Sequence, residues 1–191
     1  MNRATAFLLL LFAAIAALPA TLRANEDSEM PAWMTAPYAT MEGTTETLAT
    51  AYPGKTVVVV NVASRCGYTR QYADLQKLQQ QYADRGLVVV AFPSNDYGGQ
   101  EPGTDAEILE FCESRFSVTF PVKSKMPTRG DGKSPLYAAL TGPDSPKPGE
   151  VKWNFEKFVI APDGRIVARL GSATEPTSAE MVKAVEEAVG G

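Results

Sequence analysis

Two apolar runs separated by an amphipathic segment dominate the hydrophobic pattern of the chain. Val57 to Val62 contains five valines around Asn61, and Leu87 to Phe92 is a second run without polar alternation. Short β-branched runs of this kind are typical of strands buried on both faces. From Tyr68 to Tyr82 the apolar residues recur every three or four positions, which predicts a helix. Residues 56–92 are therefore predicted to form a βαβ unit with two parallel strands.

The pattern beyond this unit predicts two longer helices, a short helix from Ser134-Pro135 to about Leu140, and a hairpin. Thr104 and Glu107 form a capping-box pattern, which predicts a helix through about Ser114. Asp163-Gly164 predicts the turn of an antiparallel hairpin, and a second capping-box pattern at 177–180 opens a final helix with one apolar face. The order of elements is β-α-β-α-β-β-α. This order predicts an α/β fold with a central mixed sheet flanked by helices.

The amino-terminal residues 1–24 have the pattern of a secretory signal peptide. Arg3 precedes an apolar run from Ala4 to Leu18, and small-residue cleavage sites follow at Ala20 and Ala24. An uncleaved membrane anchor is the alternative, but the run is short for a bilayer span. We therefore expect an exported protein, periplasmic or secreted, with no stable membrane span in the mature chain.

The remaining length suits a single domain. Residues 25–37 are polar, acidic and proline-bearing, which predicts a flexible leader, and 38–191 form the domain. The chain has 18 basic and 22 acidic residues without a Lys/Arg cluster. A nucleic-acid partner is therefore not expected.

The composition excludes several kinds of catalysis. The chain has no histidine, which excludes Ser–His–Asp and Cys–His catalysis and most catalytic zinc sites. It has two cysteines, Cys66 and Cys112, and no C-x-x-C motif, so a structural zinc site is also excluded. We expect no bound metal or cofactor. One disulfide between the two cysteines remains possible.

The two cysteines lie in different sequence contexts. Cys66 falls between the first buried strand and the amino end of the predicted helix, where backbone N–H groups favour the reactive thiolate. The alternative is a buried cysteine that acts as a small hydrophobe. Cys112 shares an apolar helix face with Ile108 and Phe111, so the simplest interpretation is a core position.

The order of elements is that of the thioredoxin-like fold, and three segments resemble the glutathione peroxidase family. These segments are Asn61–Thr69, Phe92–Gly103 and Trp153–Phe158. The resemblance implies a thioredoxin-like peroxidase that reduces hydrogen peroxide and organic hydroperoxides through Cys66. It also implies that Gln100, Trp153 and Asn154 complete a catalytic tetrad.

The residue types of this tetrad suit such chemistry without a histidine. Amide and indole N–H groups are neutral donors that can stabilise a thiolate. The same donors can stabilise the alkoxide or hydroxide that departs when the peroxide O–O bond breaks. The cysteine becomes a sulfenic acid, which a second thiol must then reduce.

The chain departs from the family pattern in its second segment. Ser94 occupies a position where the family commonly has cysteine, and Asp96-Tyr97 replaces Gln-Phe. Resemblance to the thioredoxin-dependent branch implies that Cys112 is the resolving cysteine. The stretch between Leu140 and Trp153 lacks the insertion of tetrameric members, so we expect a monomer or weak dimer.

Three hypotheses follow for the function. The first is a two-cysteine peroxidase recycled by thioredoxin or a similar dithiol protein, which requires the Cys112 helix to unwind at its carboxyl end. The second is a one-cysteine enzyme reduced by glutathione. The third is a non-catalytic thioredoxin-like binding domain with a structural disulfide. The presence of all four tetrad residue types argues against the third.

Overall fold

A four-stranded mixed sheet forms the centre of the computed structural model, which describes residues 30–190. The predicted signal peptide, 1–24, lies outside the described residues. In their order across the sheet, the strands are Leu87–Pro93 (β4), Thr56–Val62 (β3), Lys157–Ile160 (β5) and Ile166–Leu170 (β6). A separate two-stranded hairpin is formed by Tyr38–Ala39 (β1) and Thr45–Glu46 (β2).

The register of the sheet confirms the predicted βαβ unit and hairpin. β3 and β4 pair in parallel from Thr56 opposite Leu87 to Val62 opposite Pro93. β5 runs antiparallel to β3 and to β6. All seven residues of β3 are buried because helices cover both faces of this strand. The predicted α/β fold is confirmed.

In the described part of the chain, six α-helices cover the two faces of the sheet. They are Ala32–Thr35 (α1), Leu48–Ala51 (α2), Gln71–Tyr82 (α3), Asp105–Phe116 (α4), Pro135–Thr141 (α5) and Ala179–Val189 (α6). Alternate valines of β3 point to opposite faces: Val58 and Val60 pack with α3, α4 and α6, whereas Val57 and Val59 pack with α1, α2 and α5. Both cysteines belong to the first of these two core clusters.

The helix ends agree with the sequence only in part. The Thr104 side chain accepts a hydrogen bond from the Glu107 amide and the Glu107 carboxylate accepts one from the Thr104 amide, which confirms the first capping box. α4 continues to Phe116, beyond the predicted end at Ser114. The second capping box is wrong, since Ser178 alone caps α6 by accepting a hydrogen bond from the Met181 amide.

The domain begins earlier than predicted. Residues 25–29 of the predicted leader lie outside the described residues, but its last part contains α1, in which Trp33 and Met34 are buried. The Trp33 indole N–H donates to the Gly164 carbonyl at 2.8 Å, in the turn between β5 and β6. Apolar burial therefore fixes residues that the polar composition assigned to a flexible leader. Within 30–190, no helix is long and apolar enough to cross a bilayer.

Candidate active site

Cys66 lies in a turn between β3 and α3 that one threonine stabilises. The Thr69 hydroxyl accepts a hydrogen bond from the Cys66 amide at 3.0 Å and donates to the Ala63 carbonyl at 2.8 Å. The Thr69 amide also donates to the Cys66 carbonyl at 3.1 Å. These three bonds hold the cysteine backbone immediately beyond the carboxyl end of β3.

The sulfur of Cys66 receives a hydrogen bond from the turn. The Tyr68 amide donates to Cys66 Sγ at 3.4 Å, and the residue is 9% exposed. The predicted helix start at Tyr68 is too early, because α3 begins only at Gln71 and a series of tight turns fills the gap. The observed N–H donor to the sulfur therefore belongs to this turn and not to the first turn of the α-helix.

Gln100 and Asn154 meet beside this turn. The Asn154 side-chain amide donates to Gln100 Oε1 at 3.0 Å, and Asn154 is fully buried. The backbone carbonyl of Gln100 accepts a hydrogen bond from the Arg65 amide at 3.1 Å, one residue before Cys66. The loop after β4 and the segment before β5 are thereby tied to the cysteine turn.

Trp153 lies at the surface of the same region and is 38% exposed. Its ring packs edge-on against Tyr97 at a centroid distance of 5.9 Å. A Cβ atom built on Gly98 would lie 3.7 Å from side-chain carbons of both Gln100 and Trp153. Gln100, Trp153 and Asn154, which the family resemblance groups together, therefore converge in a loop region that is hydrogen-bonded to the Cys66 turn.

Asn61, inside the first buried run, positions the Trp153 segment. Its side chain donates to the Trp153 carbonyl at 3.0 Å and accepts from the Glu156 amide at 3.0 Å, while its backbone carbonyl accepts from the Phe155 amide at 2.6 Å. Phe155 has a φ of 64°, a left-handed conformation that side chains rarely adopt. Our sequence analysis missed this role, although a polar residue within a valine run was the available signal.

The departures from the family pattern form one hydrogen-bonded network. The Ser94 hydroxyl donates to Asp96 Oδ2 at 3.0 Å, and the Thr128 amide donates to the same oxygen at 2.6 Å. The Tyr97 and Thr128 hydroxyls are 3.0 Å apart. Burial raises the pKa of Tyr97 to about 12. Ser94, Asp96 and Tyr97 therefore support each other and hold the loop that leads to Gln100.

Cys112 occupies a different environment, inside the core on α4. Its side chain is fully buried, and both cysteines are free thiols. The pKa of Cys112 is raised to about 11, mainly by burial; the Tyr72 hydroxyl lowers it and the nearby charge of Glu101 raises it. The structure thus bears out the core position that its sequence pattern indicated.

A cavity of about 260 Å³ lies between the cysteine turn and α4. Its lining includes Ser64, Arg65, Glu101, Pro102, Ile108 and Phe111. Glu101 is 1% exposed, and its Oε1 accepts a hydrogen bond from the Ser64 hydroxyl at 2.5 Å. Its Oε2 is buried and has no hydrogen-bond partner among the described residues. Our sequence analysis missed Glu101, because one carboxylate in a turn-rich loop is ordinarily exposed.

Comparison with known proteins agrees with this geometry. The glutathione peroxidase family model matches residues 35–141, which include both cysteines and Gln100. A glutathione peroxidase-like peroxiredoxin of Chlamydomonas reinhardtii is 48% identical over 126 residues, 65% of this chain and 78% of the relative. A hydroperoxy fatty acid reductase of Synechocystis sp. is 43% identical over 135 residues, with the same two coverages.

A solved structure extends the match to most of the domain. The crystal structure of Trgpx in apo form aligns with a TM-score of 0.67 and 33% identity, over 85% of this chain and 98% of that one. A thioredoxin-family thiol:disulfide interchange protein from Chlorobium tepidum, 20% identical with a TM-score of 0.58, shares the fold. The predicted thioredoxin-like fold is confirmed, and the chain belongs to the glutathione peroxidase family.

Proposed function

We propose that this protein reduces hydroperoxides through Cys66, which Cys112 then resolves and a thioredoxin-like dithiol protein recycles. The observation that carries the proposal is the convergence of Gln100, Trp153 and Asn154 on a loop region tied to the Cys66 turn. A domain without catalytic use would not need these three residue types grouped in loops that are hydrogen-bonded to the turn of a free thiol. This convergence supports the enzymatic hypotheses over a binding domain with an inert disulfide.

The first step transfers two electrons from the sulfur to the peroxide. The Cys66 thiolate attacks one peroxide oxygen, the O–O bond breaks, and Cys66 becomes a sulfenic acid. The departing alkoxide or hydroxide takes up a proton and leaves as alcohol or water. Preorganised N–H donors stabilise the negative charge that develops on the departing oxygen.

The hydrogen bond between Asn154 and Gln100 orients the donors. Because Gln100 Oε1 accepts the Asn154 amide proton, the Gln100 NH₂ group remains free to donate elsewhere. The Trp153 indole is partly exposed, so peroxide can approach it from solvent. In our proposal the Gln100 and Trp153 N–H groups act on the peroxide, and buried Asn154 fixes the orientation of Gln100.

The substrate and reductant are inferred from relatives. The similar proteins are named peroxiredoxins and hydroperoxy fatty acid reductases, which supports hydrogen peroxide and organic hydroperoxides as substrates. A peroxiredoxin-like relative also favours a thioredoxin-type reductant. Glutathione is the alternative reductant, and in that case Cys112 would have no part in turnover. In either case the electrons come from an external thiol and require no bound cofactor.

Resolution requires the carboxyl end of α4 to open. The amino end of α4 is held by its capping box and by Asp105, whose carboxylate accepts hydrogen bonds from the Ser124 hydroxyl at 2.5 Å and the Lys125 amide at 3.0 Å. α4 ends at Phe116, and the residue that caps its carboxyl end is Ser117, a non-glycine residue with a φ of 52°. Left-handed backbone costs such a residue roughly 1–2 kcal/mol, which favours opening at this end.

We further propose that the protein is exported and acts as a monomer or weak dimer. The support for export is the signal-peptide pattern of residues 1–24. An oxidising compartment outside the cytoplasm would require an exported dithiol reductant. Comparing the size of the protein in the extracellular or periplasmic fraction with that of the full chain tests export. Light scattering tests the assembly state.

Thiol counting tests the catalytic cycle most directly. Two free thiols are expected in the reduced protein, and one equivalent of peroxide should leave none, with a Cys66–Cys112 disulfide detected by mass spectrometry. A glutathione-dependent enzyme would instead keep one thiol and carry a sulfenic acid or mixed disulfide. A protein that keeps both thiols after peroxide treatment would contradict both enzymatic hypotheses.

A further inference from the structure

The cavity between the cysteine turn and α4 contains a buried carboxylate that the first catalytic step does not use. Glu101 follows Gln100 directly, but its side chain has a different partner: the Ser64 hydroxyl donates to its Oε1. Its second oxygen, Oε2, is buried without a hydrogen-bond partner among residues 30–190. A buried polar atom without a partner is costly, which suggests a use in another state of the protein.

The position of Glu101 relates it to both cysteines. Ser64, its hydrogen-bond donor, is two residues from Cys66, and Ile108 of the cavity lining is one helical turn from Cys112 on α4. The Glu101 charge acts on the Cys112 thiol. Glu101 therefore lies between the turn that will carry the sulfenic acid and the helix that carries the second thiol.

Two carboxylates act on the Cys112 thiol, and Glu101 is the buried one, whereas Glu113 is exposed. Arg65 and Lys125 face it with positive charge, Glu107 lies at the exposed rim, and the Tyr72 hydroxyl faces Cys112. Burial raises the pKa of Tyr72 well above its ordinary value, so its hydroxyl stays protonated and does not act as a base. Burial also raises the pKa of Glu101, which makes its carboxylate a better base than an exposed one.

We propose that the Glu101 carboxylate accepts the proton of the Cys112 thiol when Cys112 attacks the sulfenic acid of Cys66. This inference rests on the proposed resolution by Cys112. The Cys112 sulfur forms a bond to the Cys66 sulfur, the S–O bond of the sulfenic acid breaks, and the departing hydroxide becomes water by taking the proton from Glu101. The disulfide and one water are the products, and the Glu101 carboxylate is regenerated.

A proton acceptor is needed here because Cys112 does not ionise readily. Burial keeps the thiol protonated in the closed helix, and even after α4 opens a cysteine with an ordinary pKa of about 8.5 is mostly protonated at neutral pH. A thiol is a poor nucleophile compared with its thiolate. Positioned general bases typically accelerate such steps by about 10²- to 10⁴-fold.

The experiment compares two rates in the full-length protein and in Glu101→Gln. Rapid quenching followed by mass spectrometry measures sulfenic acid formation at Cys66 and disulfide formation with Cys112 separately, between pH 5 and pH 11. Glutamine keeps the shape of the side chain and an oxygen that can accept from Ser64. We expect sulfenic acid formation within about twofold of wild type, and disulfide formation at least about 10²-fold slower near pH 7.

The pH profile separates proton transfer from a structural effect. The difference between Glu101→Gln and wild type should shrink at alkaline pH, where Cys112 ionises without a base. In wild type, disulfide formation should fall at acid pH as Glu101 becomes protonated, and Glu101→Gln should lack this fall. Glu101→Asp keeps a carboxylate, so its rate of disulfide formation should still fall at acid pH.

The matched control is Glu107→Gln, which alters an exposed carboxylate at the rim of the same cavity. Glutamine can still reach back to the Thr104 amide in a capping box, so resolution should stay within about threefold of wild type. The role of Glu101 would be overturned if Glu101→Gln formed the disulfide at the wild-type rate. A slower rate with the same pH profile as wild type would also overturn it. If wild type forms no Cys66–Cys112 disulfide, resolution by Cys112 fails as well, which is a different and recognisable outcome.

Discussion

The two cysteines of this chain occupy opposite kinds of site. Cys66 lies in a turn held by Thr69, with a backbone N–H directed at its sulfur and neutral donors in the neighbouring loops. Cys112 lies within a regular helix, fully buried, beside Tyr72 and close to the charge of Glu101. The first environment is arranged for attack on a small molecule, and the second keeps its thiol protonated.

This difference indicates how a peroxidase can keep two thiols apart until they are needed. A preorganised site gains from rigidity, because the donors must already be in place when charge develops. A resolving thiol gains from a protected position that opens only after the first step. The predictions below test the two sites against each other.

The largest expected effect follows from removing the attacking sulfur. Cys66→Ser should show no peroxide consumption above background, because serine has no thiolate to attack the O–O bond. Cys112→Ser should still consume one equivalent of peroxide and then lose turnover with a dithiol protein. A single-turnover assay with hydrogen peroxide measures the first step, and a steady-state assay with the dithiol protein measures turnover. Normal turnover in Cys112→Ser would make the second site irrelevant to catalysis and favour the glutathione hypothesis.

Removing one donor should slow the first step without abolishing it. Gln100→Ala and Trp153→Phe are each expected to reduce the rate of Cys66 oxidation by about 10²- to 10³-fold, by analogy with loss of a preorganised donor. Trp33→Phe, at the far side of the domain, is the control and should oxidise within about twofold of wild type. Equal oxidation rates in all three variants would remove Gln100 and Trp153 from the mechanism.

The protonated state of Cys112 predicts a loss of stability at alkaline pH. Its pKa is raised from 9.0 to about 11, so between these values the folded state binds more protons than the unfolded state. Stability therefore falls as pH rises through this window, by roughly 3 kcal/mol in total for a shift of two units. Denaturant unfolding at pH 8 and pH 11 measures this loss. Cys112→Ala, compared over the same range, should lack it.

The smallest effect is expected at the carboxyl end of α4. Ser117→Gly relieves a left-handed conformation and should stabilise the helix end by about 1 kcal/mol, which slows opening and resolution roughly fivefold. Thr104→Ala is the matched change at the other end, where it removes the cap and costs about 1 kcal/mol. Because opening starts at the carboxyl end, Thr104→Ala should leave the rate of disulfide formation unchanged. If Thr104→Ala instead speeds disulfide formation by as much as Ser117→Gly slows it, α4 opens as a unit.

The elements that depend on local pattern could be predicted from the sequence. The valine runs predicted β3 and β4 with their parallel pairing, because short β-branched apolar runs are typical of strands buried on both faces. The Thr104 capping box predicted the start of α4 for the same local reason. The convergence of Gln100, Trp153 and Asn154 depended on the family resemblance, since those residues come from separate segments of the chain.

The features that were missed depend on distant contacts. The turns that delay the start of α3 to Gln71 follow from hydrogen bonds around Thr69, which periodicity does not register. The side chain of Asn61 binds residues more than 90 positions away. Trp33 is buried because of a turn at Gly164, so its polar surroundings in sequence were misleading. Glu101 likewise becomes unusual only when Ser64 and α4 enclose it.

The placement of the two indoles makes the protein its own optical reporter. The chain contains two tryptophans. Trp33 is buried at the far side of the domain with its N–H bonded to a carbonyl, whereas Trp153 is partly exposed beside Gln100. Emission from Trp33 should therefore stay constant, whereas we expect emission from Trp153 to change with the oxidation state of Cys66. Intrinsic fluorescence can then follow the reaction in real time without a label, with an internal reference built into the same chain.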